Sequence, residues 1–325
     1  MDALAILNSI KRNAIEREER RHFLRSAGIF AAGAAGSMAL TACGGKTSSA
    51  GAQTSSSGPS DADILNFALN LEYLEAQFYS YAATGAGLSA SMQTGTGTQG
   101  AVVAGQKANL SSPLVIAYAN EIAQDEVNHV NFLRSALGSS AVAQPAIDIS
   151  VSPTSAFSMA AQAAGLVPAG TAFNPYADDE SFLLGAYLFE DVGVTAYHGA
   201  ASLISSKTYL EAAAGILAVE AYHAGLVRTA LYAMGIASPA PAINPFTATA
   251  AISTARSKLD GTNNDDQGIQ GASATISNIV DADSNSIAYA RTTGQVLNIV
   301  YLNSAATTMG GFFPKGVNGN INTSA

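Results

Sequence analysis

The chain has 325 residues with 15 Lys and Arg against 24 Asp and Glu, a net charge of −9, and 48% hydrophobic residues, which excludes a disordered polyampholyte. One Cys and no Trp exclude a disulfide scaffold and a Cys-based zinc or iron–sulfur site. Residues 1–43 carry six basic against four acidic side chains, so the surplus of acid falls on the remainder, and a body without a basic stripe argues against nucleic acid as a partner.

The first segment reads as an address. Arg20-Arg21-His22-Phe23-Leu24-Arg25 precedes a soft apolar stretch from Ala27 to Leu40, a charged head and a short apolar region too brief to span a bilayer. It resembles a twin-arginine export signal, and Leu40-Thr41-Ala42-Cys43-Gly44 resembles a bacterial lipobox. On that reading Cys43 becomes the lipidated first residue of a periplasmic or cell-envelope lipoprotein, which touches the membrane through its lipid anchor only. Residues 44–59, rich in Gly, Ser and Thr, read as a flexible tether. No later segment reads as apolar for long enough to cross a membrane.

Residues 60–235 predict four long helices. The first opens at Ser60, an N-cap with Asp63 three residues on, and runs to about Ala83 with Ile64, Phe67, Leu71, Leu74 and Phe78 at helical spacing. A Gly/Ser/Thr loop over 84–111 follows. Its Gly95-Thr96-Gly97-Thr98-Gln99-Gly100 matches a dinucleotide fingerprint in letters, but no strand precedes it, so it reads as a flexible loop. The second helix starts at Ser112-Pro113 and stops at Gly138. A connection of about forty residues with four prolines leads to the third, which opens at Asp178-Asp179-Glu180 and continues to about Leu203. The fourth runs from Thr208 to Met234, with Gly235 as its stop. Two helical hairpins joined by one long crossover are the wiring of a ferritin-like four-helix bundle, an all-α fold. Residues 236–325 form a partly irregular C-terminal extension with short helices expected at 251–259 and 292–304, packed on the bundle. Asp281, Asp283 and Asn285 start like a calcium loop but lack its Gly and Glu, and read as a solvated turn.

The two hairpins repeat one another. Glu72 and Tyr79 align with Glu190 and Tyr197, and Glu126-x-x-His129 followed by Arg134 aligns with Glu220-x-x-His223 followed by Arg228. Residues three apart share a helix face, so each Glu-x-x-His offers an oxygen and a nitrogen to one centre, and the single glutamates complete a six-ligand set. Glu72, Glu126, His129, Glu190, Glu220 and His223 are therefore the candidate metal ligands, for two iron or manganese ions. Glu75 shares the face of Glu72 and competes with it; the repeat favours Glu72, because Glu75 aligns with Gly193. Tyr79 and Tyr197 are either hydrogen-bonding supports for the opposing Glu-x-x-His pairs or ordinary core tyrosines. His198 reads as a residue of the bundle edge.

The stretches Asp63 to Ala76, Asp125 to His129, Arg291 to Tyr301 and Gly310-Gly311-Phe312-Phe313-Pro314 resemble the ferritin-like domain family that includes exported bacterial proteins and plant desiccation-related proteins. The resemblance covers most of residues 61–317 and implies a bundle with a di-metal centre. It names no reaction. Two functions follow as expectations: redox chemistry with O2 or peroxide in oxidative or desiccation stress, of ferroxidase or catalase type, or a non-enzymatic envelope protein whose metal is structural or absent. Oligomeric state is left open, with a dimer as one option.

Overall fold

The computed structural model describes residues 58–237, 243–261 and 265–325. The stretches expected to form an export signal, a lipobox with Cys43 and nearly all of the tether lie outside the described residues. The compact unit Pro59–Ala325 holds every element below.

The four long helices are α1 (Asp61–Thr84), α2 (Pro113–Leu137), α4 (Asp179–Ala201) and α5 (Lys207–Ala237), with α3 (Ala156–Ala163) in the crossover and α6 (Pro245–Asp260) and α7 (Thr293–Val300) in the extension. The caps explain where the helices begin. Ser60 and Asp63 form a reciprocal capping box, with Asp63 N donating to Ser60 Oγ at 3.2 Å and Ser60 N donating to Asp63 Oδ2 at 2.9 Å. Gly85 ends α1 in the left-handed region at φ +82°. Asp178 caps α4 by accepting from Ser181 N at 2.7 Å.

Helices α1 and α4 form the buried centre, and α2 and α5 flank them. Almost every residue from Ile64 to Tyr79 is buried. A helix enclosed on all sides cannot show a clean apolar stripe. Its polar residues are met individually: Asn70 Nδ2 donates to the backbone carbonyl of Asn318 at 2.8 Å, and Asn318 N returns a bond to Asn70 Oδ1 at 3.0 Å. The aromatic core joins α1, α3, α4 and the extension. Phe78 of α1 meets Phe157 of α3 at 5.1 Å and Phe189 of α4 at 5.6 Å between ring centres. Phe312 of the extension meets Phe189 at 4.9 Å. Each such ring contributes about 1.5–3 kcal/mol through burial, so the extension is part of this core.

Some expectations need correction, and the crossover holds a helix the sequence did not reveal. Gly235 does not stop the fourth helix, which continues to Ala237; a Cβ there would lie 2.7 Å from the Phe246 ring, so this glycine is a packing contact between α5 and α6. The crossover contains α3, a short helix whose Phe157 and Ala161 are buried. The Gly95–Gly100 segment is pinned. Thr96 N donates to the Ala141 carbonyl at 2.9 Å and Gly100 N to that of Gln144 at 2.9 Å, and strands β1 (Val102–Val103) and β2 (Ile147–Asp148) pair in parallel beyond it. A Cβ on Gly100 would lie 2.0 Å from Ala146 N, which explains the glycine there. Finally, α5 is long and apolar enough to cross a membrane, with a hydropathy of 1.3 over its best window. It also carries Glu220, His223 and Arg228, all buried against the rest of the bundle. In the extension, α6 begins earlier than expected because Asn244 caps it and Pro245 opens it, and α7 ends at Val300.

The two repeated arginines anchor different segments. Arg134 donates to the carbonyl of Ser91 at 3.3 Å and so holds the loop after α1. Arg228 Nη1 meets Asp191 Oδ2 at 2.9 Å, and Arg256 Nη2 meets the same oxygen at 3.0 Å. Asp266 and Asp281 stand close to Asp191, and the three carboxylates alone have the spacing of a cation site. The buried guanidinium groups of Arg228 and Arg256 supply the positive charge there, so this cluster is an ionic joint between bundle and extension. Asp281 is thus no solvated turn: burial first, and then the charge of Asp191, push its carboxyl up to about 7.

Candidate metal centre

All six predicted residues point into the bundle interior, and all are at least nine-tenths buried. Glu72, Glu126, His129 and Glu220 form one group whose donor atoms lie within 4.8 Å of one another, and Glu126, Glu190 and His223 form a second. Glu126 belongs to both. Its Oε2 stands 3.4 Å from His129 Nδ1 and its Oε1 stands 3.1 Å from His223 Nδ1. His129 Nδ1 also faces Glu72 Oε2 at 3.1 Å and Glu220 Oε1 at 3.5 Å, while His223 Nδ1 faces Glu190 Oε2 at 3.6 Å. The imidazole ring centres are 6.3 Å apart.

The fit of this donor set to metal is testable on its unmet atoms. Both oxygens of Glu126, both of Glu220, Glu190 Oε2 and His223 Nδ1 are buried without a hydrogen-bond partner. Unpaired buried carboxylates cost several kcal/mol each, on the order of what a divalent cation would return. Hard oxygen donors with one imidazole per group suit iron or manganese. The residues fit.

Two tyrosines support the single glutamates. Tyr79 of α1 donates to Glu190 Oε1, and Tyr197 of α4 donates to Glu72 Oε1. Both hydroxyls are buried, and they reach the lone glutamates across the bundle, not the Glu-x-x-His pairs expected from the repeat. The reason is the antiparallel course of α1 and α4: the residue seven along one helix falls opposite the glutamate of the other. Asp125 is a further support that the sequence did not reveal. Its Oδ2 stands 3.3 Å from His223 Nε2, which leaves Nδ1 as the nitrogen aimed at the centre. Val219 occupies the matching place before Glu220, so the repeat gave no signal.

Glu75 joins neither group, yet it is buried beside them. A Cβ on Gly193 would lie 2.2 Å from Glu220 Oε2 and 3.6 Å from Glu75 Oε1, so α4 carries glycine where these two carboxylates approach. His198 lies outside both groups, with Nδ1 3.0 Å from the Tyr289 carbonyl.

The electrostatics are those of an acid-rich centre. Burial, and then repulsion among the carboxylates, hold Glu75 and Glu220 well above the usual range. Burial pushes Glu72 up to about 7 against the attraction of His129. Glu126 is opposite: burial acts to raise it, but the two flanking imidazoles outweigh burial and hold it below the usual range. Burial acts to lower both histidines, yet the surrounding carboxylates prevail and raise them, His129 to about 12.

A buried four-helix core with two Glu-x-x-His elements and two single glutamates defines a ferritin-like protein, and residues 60–233 match the ferritin-like domain family, to which the chain belongs. It is 34% identical over 271 residues to the ferritin-like catalase Nec2 of Nesocodon mauritianus, covering 80% of this chain and 84% of that one. It is 32% identical over 268 residues to the desiccation-related protein PCC13-62 of Craterostigma plantagineum, covering 80% and 83%. No solved structure matches the chain at a significant level.

Proposed function

We propose that the chain holds two iron or manganese ions between α1, α2, α4 and α5 and uses them for redox chemistry with peroxide, with dioxygen as product or oxidant. The observation that carries this reading is Glu126, which places one unpaired carboxylate oxygen in each of two Glu/His groups. Glu72, Glu190, Glu220, His129 and His223 would complete the set, and a metal pair there would exchange electrons with a bound oxidant. The relative named a ferritin-like catalase favours disproportionation, in which two hydrogen peroxide molecules give two waters and one dioxygen.

The protein's own groups serve that chemistry in separable ways. Tyr79 and Tyr197 fix the orientation of Glu190 and Glu72. Asp125 fixes the ring of His223. Glu75, buried and unligated beside the centre, is placed to hold a proton. The aromatic and aliphatic core keeps bulk water away. The sequence's resemblance to an export signal and a lipobox favours an envelope lipoprotein, with Cys43 as the anchored residue.

Elemental analysis of protein from its native host, with oxygen-electrode assays on hydrogen peroxide, tests the reading. Two ions per chain and oxygen release that disappears in Glu126→Ala would support it. A second reading, protection during drying with the metal as a structural element, rests on the relative named a desiccation-related protein. It would stand if Glu220→Ala and His223→Ala lowered Tm but left envelope protection intact.

A further inference from the structure

Two apolar spaces lie end to end between the surface and Glu75. The outer one, about 130 Å3, opens between α3, α4, α6 and α7, with exposed Met159 at its rim and Phe157, Leu184 and Ile252 at its floor. Arg256 is the one charged residue that lines it. The inner one, about 20 Å3, is bounded by Leu71, Leu74, Val192 and Phe312 and ends on Glu75 and Gly193. Leu188 and Ile299 line both spaces and so form the wall between them.

The inner space has room for one molecule the size of water or dioxygen. Among the described residues no hydrogen bond reaches the Glu75 carboxylate, and the rest of the lining is aliphatic, aromatic or glycine. Peroxide and water would give up their hydrogen bonds along the aliphatic wall and find a partner again only at Glu75, whereas dioxygen would give up none. The glycine that admits the Glu220 carboxylate also forms the inner end of this space.

We propose that these two spaces form a passage for dioxygen between the surface and the centre, with Leu188 and Ile299 as its gate. The proposal rests on the metal-centre reading for its purpose, but its test does not require metal.

Dioxygen is paramagnetic and relaxes the methyl protons it visits, so the test is methyl NMR of the metal-free protein under oxygen pressure. The expected result is relaxation of the Leu74 and Val192 methyls several-fold above that of Leu183 and Val130, which are equally buried but line neither space. Leu188→Phe should remove the effect at Leu74 and Val192 and keep it at Met159. Relaxation confined to Met159 in the unmodified protein would overturn the passage, and that comparison stands even if the Phe variant fails to fold. Protein that takes up no metal would instead sink the metal-centre reading, while the relaxation pattern would still decide the passage.

Discussion

Glu75 on α1 faces Gly193 on α4 at the position where the internal repeat departs from symmetry. A side chain on Gly193 would begin 3.6 Å from the Glu75 carboxylate and 2.2 Å from that of Glu220. One hairpin thus carries a buried acid, and the other carries the space into which acids fit.

Gly193→Ala follows directly. The substitution favours helix by roughly 0.5–1 kcal/mol, so the metal-free fold should hold, with little change in Tm. Glu220 must turn away from the new methyl, and metal affinity should fall by about tenfold or more. Titration with ferrous or manganous ion, alongside circular dichroism of the metal-free protein, reads both effects. Unchanged affinity would show that Glu220 is no ligand.

Tyr79→Phe and Tyr197→Phe should behave as a matched pair, because each hydroxyl serves the lone glutamate of the opposite hairpin. Each variant removes a hydrogen bond to a charged group, worth about 1.5–3 kcal/mol, and should weaken metal binding by roughly 10–100-fold. Competition with a chelator of known affinity measures the loss. A variant that lowers Tm with full metal affinity would mark an ordinary core tyrosine.

The pH dependence of the metal-free protein has a definite sign. Glu72, Glu75, Glu220, His129 and His223 are all raised on folding, burial leading for the glutamates and neighbouring carboxylates prevailing over burial for the histidines. Between the unfolded and folded pKa of each group the native state binds more protons than the unfolded one, so stability falls as pH rises. The window opens near 4.5 for the glutamates, passes about 7 for Glu72, and extends from about 6.5 to about 12 for His129. Glu126, held low, acts in the opposite sense only below about 4.5. Thermal melts should give a lower Tm at pH 9 than at pH 5.5. Metal ions compete with those protons, so loading near neutrality should release protons into a weak buffer.

Asp191→Ala should destabilise the joint between bundle and extension. It leaves Arg228 and Arg256 without their shared carboxylate, and such a break costs about 3–5 kcal/mol. Limited proteolysis should then cut between residues 265 and 292 sooner than in the parent protein. Equal protease resistance would show that the other carboxylates suffice.

Local chemistry makes much of this legible in the sequence. Ser60 with Asp63, and Asp178, mark helix starts because their side chains cap backbone groups a few places away, and Pro113 marks another because its fixed φ suits a first helical turn. The six inward residues were legible because the chain repeats its own pattern. What the sequence could not reveal depends on distant partners: Gly235 looks like a stop until Phe246 is seen against it, and Asp125 has no counterpart at Val219. The tyrosines were misdirected for the same reason, since the repeat gives their spacing but not the antiparallel pairing of α1 with α4. Helix α3 is short and rich in Ala, and burial of Phe157 on Phe78 accounts for its place in the fold.

The most direct measurement is an anomalous difference map from crystals of the metal-loaded protein, collected at the iron and manganese edges. The account predicts two peaks about 3.5–4 Å apart, one toward each oxygen of Glu126, with His129 and His223 on opposite ends. A map with no peak there, or with one peak elsewhere in the chain, would contradict it.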